Sequence, residues 1–341
     1  MTDGPEVVVV GAGLSGLSCA RALAAAGRSV LVLDRARGVG GRCATHRLEG
    51  MPFDIGLAFL HGRDPEFLAA ARETPSRRIE GWPLAVQGTG RPCQPEAFQV
   101  GEQRFALVDG VKAFAKHLAR EIPLRLEARV DRLVLDGPVP GLVLERGEPI
   151  RARHLVLALA PEQVLRLLDL AGALPRSLAS VRALLESSSS EPSLSLSALY
   201  PAGTPVPSWD AWYPDESRAL QFIGHESGKR DAPPGLGLLF QARPGWSRQH
   251  LDDLRWPEAL LAEAGRVVGP WASRPVATHV HRWSFARTDL ASELSGPVLV
   301  RLPAGGSLGF CGDRFAPGGG AEAAWISGRE LGRRLVALEV A

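Results

Sequence analysis

Three glycines, a carboxylate and an arginine near the N-terminus are spaced to hold a phosphate-bearing dinucleotide. Gly11, Gly13 and Gly16 form G-x-G-x-x-G, Asp34 follows, and a second glycine pair, Gly40-Gly41, runs straight into Arg42. Gly11 permits the tight turn and Gly13 lets the backbone approach a pyrophosphate, while Gly16 lets helix and strand pack closely. The helix N-terminus at Leu14 and Ser15 attracts the anion. Asp34 stands where a carboxylate accepts hydrogen bonds from a ribose. A guanidinium beside a diphosphate is favourable electrostatics, which gives Arg42 a role in the same constellation.

A second set of residues could meet a reacting molecule. Period-2 alternation places His279, His281, Trp283 and Phe285 on one face of a strand, with Val280 and Arg282 on the other. His281 and Trp283 are therefore candidates to point together at a substrate, as is His61, which lies shortly after Asp54-Ile-Gly56. Core packing of the same residues is the competing reading. Tyr200 and Trp212 are further candidates for a pocket wall. Lysine occurs only at 112, 116 and 229. Spacing from Val111, Phe114 and Leu118 puts Lys112 and Lys116 on the outer side of a helix, and Lys229 falls in a polar stretch, HESGKRD. None is the expected base.

Elements must carry these groups. Glu6–Val10 reads as a buried strand, Leu14–Ala26 as an alanine-rich helix and Val30–Leu33 as a second strand ending at Asp34. Short strands follow at Cys43–Arg47 and Pro52–Leu60, then a helix at Pro65–Arg72, and a Pro-, Gly- and Arg-rich excursion from Thr74 to Pro95. Strands are expected at Gln103–Val108, Leu124–Leu135, Leu142–Leu144 and His154–Ala160, with helices from Asp109-Gly110 and over Glu162–Leu168. Ala171–Glu186 looks helical and Ser187–Ser190 resembles a linker. Alternating strands near Leu194–Tyr200, Ala219–Ile223, Leu236–Ala242 and Val276–Phe285 suit an antiparallel sheet, with a helix over Trp246–Ala264. The chain closes with a strand at Pro297–Leu302, Gly309-Phe-Cys-Gly-Asp313, a glycine turn to Gly320 and a helix over Ala321–Leu338.

Composition narrows the class. A chain of 341 residues suggests two domains, and its 45% hydrophobic and 22% charged content is that of a soluble globular protein. A net charge of +2 gives no reason to invoke nucleic acid or a membrane surface. The four cysteines, at 19, 43, 93 and 311, show neither a C-x-x-C pair nor histidines at zinc spacing, so no metal site is expected. Reduced thiols and an apolar start that reads as folded domain give a cytoplasmic expectation.

The segment RGVGGR, together with the first glycine motif, resembles the FAD-binding fingerprint of the flavin amine oxidase superfamily. CGDRF and GGGAEAAWISG resemble the superfamily's C-terminal return to the cofactor. Within it, RGVGGRCATHR, Asp54-Ile-Gly56 and His281-Arg-Trp-Ser-Phe-Ala286 are most similar to the renalase group. The sequence Gly56-Leu-Ala-Phe-Leu-His61 departs from that group, which carries Gly-Ala-Gln-Tyr there.

The resemblance implies an α/β chain with a two-domain, FAD-binding Rossmann-type fold. Residues 1–75, 103–170 and 286–341 would form a discontinuous cofactor domain. Residues 76–102 and 171–285 would form an antiparallel-sheet substrate domain. It further implies non-covalent FAD held by Gly11, Gly13, Leu14, Ser15, Gly16, Asp34, Arg35, Gly40, Gly41, Arg42, Val130, Gly312, Asp313, Gly320 and Ala321. Asp313 would take ribityl hydroxyls, and the helix N-terminus would face the flavin pyrimidine edge. Cys311, in a buried strand, reads as inert and not as a covalent flavin link.

The implied chemistry is oxidation of a small reduced substrate, with molecular oxygen as acceptor. Relatives that oxidise amines place a lysine near the flavin, which this chain does not obviously supply. Renalase-type oxidation of a dihydronicotinamide needs no such base. An amine oxidase or desaturase with a remade pocket, a non-redox FAD protein and an NAD(H) protein stay open, as does the oligomeric state.

Overall fold

The computed structural model describes residues 4–89, 98–288 and 292–338. The end of the Thr74–Pro95 excursion and Cys93 lie outside these. The chain divides into two compact units. The first comprises Met1–Gly41, Phe114–Ser190 and Thr288–Ala341, the second Arg42–Ala113 and Glu191–Arg287. Residues 42–75 and 103–113, expected with the cofactor segments, thus group with the second unit. The fold class is the expected α/β architecture with mixed parallel and antiparallel sheets.

The first unit is built on a six-stranded sheet. Its order is Val298–Arg301, Ser307–Phe310, His154–Leu157, Val7–Val10, Val30–Leu33 and Leu124–Arg125. All neighbours run parallel except the first pair. Val7–Val10 is buried at every position, as a strand covered on both faces must be. Its register aligns Val10 with Leu33 on one side and Leu157 on the other, and Leu157 with Phe310. Gly11, Asp34, Ala158 and Cys311 therefore leave the sheet in one row at its carboxyl edge. In open α/β sheets that edge is where ligands bind.

Helices Leu14–Ala25 and Gly320–Ala337 pack against each other in this unit. Ser18 Oγ donates to the Trp325 carbonyl at 2.7 Å, and neither Gly328 nor Gly332 has room for a Cβ against Ser15 and Cys19. Small residues at these positions let the two backbones approach.

The second unit holds a sheet ordered Ala277–Thr288, Ser190–Tyr200, Leu236–Ala242, Leu220–His225, Ala211–Trp212 and Val86–Gln87. One face packs Leu194, Leu196, Ala198, Tyr200, Leu238 and Phe240 against Trp256, Leu260 and Ala264. The other carries Leu239 and Phe222 against Phe59, Trp82 and Tyr213. The two added strands are two residues long, too short to show a period.

Several boundaries differ from expectation for local reasons. The helix expected over Trp246–Ala264 is two, Pro244–His250 and Trp256–Val267. Pro257, lacking an N–H, fits the first turn of a new helix and not the middle of an old one. Leu124–Leu135 divides into strands Leu124–Arg125 and Val130–Val134, with Glu127 at φ 53° between them. Helix over 171–186 begins only at Ala179, after a short 3-10 turn at Arg176–Leu178, because Gly172 takes φ 81° and Pro175 is extended. Ser190 starts a strand and is not linker.

Candidate functional site

The first unit gathers most of the expected cofactor residues. Gly11 and Gly16 are fixed by packing. A Cβ at Gly11 would overlap the Ala158 carbonyl oxygen, and one at Gly16 the carbonyl oxygen of Gly11. Gly13 differs, because a Cβ there would meet no heavy atom within 4 Å and its φ of −75° suits any residue. Neither protein packing nor backbone conformation requires glycine at 13. Its open space adjoins the N-terminus of helix Leu14–Ala25, whose first turn contains no acidic residue. That is a cradle for an anion.

The second glycine turn lies along the first. Gly40 N–H donates to the Ala12 carbonyl at 2.8 Å, and Gly13 and Gly40 form a parallel bridge. Gly40 and Gly41 have φ of 117° and 54°, which favours glycine at both. Asp34 is locked in place, one carboxylate oxygen accepting Ala12 N–H at 2.7 Å and the other Ala36 N–H at 2.8 Å. Each oxygen keeps a lone pair for a ribose hydroxyl. Arg35 is exposed, and Val130 is half-buried opposite Leu144.

The C-terminal elements meet this edge through Ser327. Its hydroxyl donates to the Gly312 carbonyl at 2.7 Å and accepts Gly312 N–H at 3.0 Å, tying the strand end to the helix that begins at Gly320. Asp313 is buried and accepts Thr288 Oγ1–H at 3.0 Å. A Cβ at Gly320 would also meet nothing within 4 Å, although its φ of 71° requires glycine for conformation too. This helix, unlike the first, carries Glu322 in its opening turn, which complements part of its dipole. Burial pushes the Cys311 thiol up to about 12, so it is not a thiolate at neutral pH.

The second unit holds Arg42, His61, His281 and Trp283. Arg42 Nη1 donates to the Ala286 carbonyl at 3.2 Å. His281 and Trp283 stand together, ring centroids 4.1 Å apart, and the indole N–H donates to the Ile55 carbonyl at 3.0 Å. The expected alternation is present, with residues 279, 281, 283 and 285 partly buried while 278, 280, 282 and 284 are exposed. His279 stacks on His46 at 3.5 Å. Burial, then the neighbouring imidazoles, lower His279 to about 4, and burial followed by His46 lowers His281. Both are neutral at physiological pH.

His61 sits in a different sheet, in strand Leu60–Gly62, with Nδ1 3.1 Å from Glu102, which also pairs with Arg63. Tyr200 is not a pocket residue. It shares parity with Leu194 and Leu196, faces the helical side of the sheet and donates its hydroxyl to the Ala272 carbonyl at 2.6 Å. Trp212 is half-buried against the same core and Trp209.

Lys229 corrects the sequence reading most. The HESGKRD stretch is polar, yet Lys229 is fully buried, 2.7 Å from both Asp54 and Glu226. Arg230 reaches the same two carboxylates at 3.1 and 2.8 Å, and Lys229 also lies over the Trp82 ring. Burial would push the Asp54 carboxyl up. Lys229 and Arg230 together outweigh that and hold it below the usual range. Glu226, Lys229 and Arg230 occur at i, i+3 and i+4, the spacing of a self-pairing turn, which is the signal that could have found them. Gln241, whose Nε2 donates to the Gly56 carbonyl at 2.5 Å, carried no sequence signal.

Residues 9–74 match the family described as NAD(P)-binding Rossmann-like domain. The chain is similar to putrescine oxidase of Kocuria rosea, 37% identical over 123 residues, covering 34% of this chain and 26% of that protein. It is also similar to human all-trans-retinol 13,14-reductase, 30% identical over 179 residues, covering 50% of this chain and 27% of the relative. The matches therefore span about a quarter of those relatives' lengths. Among solved structures, putrescine oxidase bound to putrescine superposes with a TM-score of 0.73 at 15% identity, over 98% of this chain and 99% of the other. Cyclohexylamine oxidase from Brevibacterium oxydans IH-35A gives 0.73 at 17% identity, over 99% and 100%.

Proposed function

We propose that the chain is a member of the flavin amine oxidase superfamily, an FAD-dependent oxidase of a small reduced substrate, a reading supported by its likeness to putrescine oxidase. The open space at Gly13, beside a helix N-terminus without an acidic residue, fits a cofactor diphosphate. The preset Asp34 carboxylate fits its ribose, and Asp313 offers a buried acceptor after strand Ser307–Phe310 of the same sheet. Bound FAD would supply the hydride acceptor, reoxidised by oxygen.

For the substrate, we favour a neutral reduced heterocycle of the dihydronicotinamide type, as in the renalase group. The observation that carries this is the state of Lys229. Its ammonium is committed to two carboxylates and to the Ala58 carbonyl, 2.9 Å away, and it is not a proton relay. Beside Trp283, the imidazole of His281 is depressed and uncharged, suited to stacking and hydrogen bonding. A substrate whose hydride loss restores aromaticity needs no strong base. His281 and Trp283 would orient it, with His61 a further candidate, and its setting would be the cytoplasm.

Amine oxidation is the second reading, favoured by the likeness to putrescine and cyclohexylamine oxidases. Anaerobic mixing with 2- or 6-dihydro-NAD(P) separates the two, read as bleaching of the flavin band at about 450 nm. Bleaching by amines alone would overturn the heterocycle reading.

A further inference from the structure

The five residues Asp54–Ala58 form a turn held through several of its backbone polar groups. Asp54 N–H donates to Glu226 at 3.0 Å, Ile55 N–H to the Ala44 carbonyl at 3.0 Å and Leu57 N–H to the Arg42 carbonyl at 3.0 Å. The Ile55 carbonyl accepts the Trp283 indole at 3.0 Å, and the Gly56 carbonyl accepts Gln241 at 2.5 Å. Gly56 leaves no room for a side chain, since a Cβ there would overlap the Arg42 carbonyl oxygen and lie 3.2 Å from the Trp283 ring.

Lys229 closes this turn from both ends. Its Nζ lies 2.7 Å from the Asp54 carboxylate at the start and 2.9 Å from the Ala58 carbonyl at the finish. The Thr45 hydroxyl and the Val111 N–H donate to the other Asp54 oxygen at 2.8 and 2.9 Å, fixing the carboxylate against which the ammonium pulls. Between the clamped ends stand the two carbonyls that aim Trp283 and Gln241, residues of different strands.

We propose that Lys229 is a positioning residue for Trp283 and Gln241, acting through the Asp54–Ala58 turn. The kinetic part rests on the reading of Trp283 as a substrate-orienting group. A compact ammonium can bridge a carboxylate and a carbonyl four residues apart, whereas a planar guanidinium cannot occupy the same point. Lys229 therefore acts on Trp283 and Gln241 while being itself fully buried and inaccessible to a substrate.

The test uses the flavin-loaded protein with Lys229→Met. The charge-balanced pair Glu226→Gln/Lys229→Met carries the same measurements if the single variant does not fold. Hydrogen exchange of the Trp283 indole, assigned by its loss in Trp283→Phe, should accelerate about tenfold, the scale of one lost hydrogen bond. The buried Trp256 indole should not change. KM should rise more than kcat falls, and that change should vanish when Trp283→Phe is already present. Unchanged exchange at Trp283 in a folded variant overturns the clamp. Accelerated exchange with an unaltered KM supports it and overturns instead the role given to Trp283.

Discussion

Gly328 of the C-terminal helix rests against the Ser15 carbonyl oxygen of the N-terminal helix, with no room for a Cβ between them. Ser15 sits in the first turn of the helix that begins beside the open space at Gly13, so the helix contact and the proposed anion site share one support. Gly328→Ala should force the pair apart and destabilise the protein by about 1–3 kcal/mol, the usual range for overpacking. Thermal unfolding of the flavin-loaded protein would show it. An unchanged midpoint would mean the helices can part without loss.

The three motif glycines should separate into two kinds. Gly13→Ala should leave apo-protein stability within about 0.5 kcal/mol of the parent, as at a site with free space, while weakening FAD retention. Gly16→Ala should lower both, because its Cβ collides with the Gly11 backbone. Chemical denaturation beside flavin fluorescence titration measures the two effects. Equal stability losses would contradict the distinction.

Asp34→Ala removes the acceptor for Ala12 and Ala36 N–H as well as the group offered to a ribose. A charge-assisted hydrogen bond contributes about 1.5–3 kcal/mol. FAD affinity should therefore fall by at least about tenfold, with Asp34→Asn intermediate because it keeps one acceptor. Affinity equal to the parent in the alanine variant would exclude the role.

His279 makes stability depend on pH in a definite direction. Its folded value is about 4 against an ordinary 6.5, because burial and neighbouring imidazoles disfavour its charge. Above pH 6.5 it is neutral folded and unfolded, and contributes no slope. As pH falls from 6.5 to about 4 the unfolded chain takes the proton first, so stability drops, levelling below about 4. His46 and His281 are lowered by burial too and add in the same sense. His279→Phe should flatten this slope in urea titrations between pH 4 and 7; an undiminished slope would assign it elsewhere.

The cofactor half of the fold was legible because its signals are local. A glycine motif, an all-valine strand and an acid after the second strand each constrain a few neighbouring residues, and Val7–Val10, Val30–Leu33 and the C-terminal helix lie where they were expected. Alternation also read the faces of the 277–288 strand correctly. The reading of Tyr200 as a pocket wall failed because it rested on the aromatic side chain and not on parity with Leu196, which places it in the core. Lys229 and Asp54 are 175 residues apart, and no window along the chain shows that a polar stretch will be stripped of water by a partner so distant. Gln241 was invisible for the same reason.

The buried charges also govern how the second unit can assemble. Segment 42–113 contributes Asp54 alone to the group, one negative charge, whereas segment 191–287 contributes Glu226, Lys229 and Arg230, one net positive charge. Either segment folding by itself would strand an unmatched ion in its interior. The two are electrostatic halves of one object, each carrying the charge that neutralises the other.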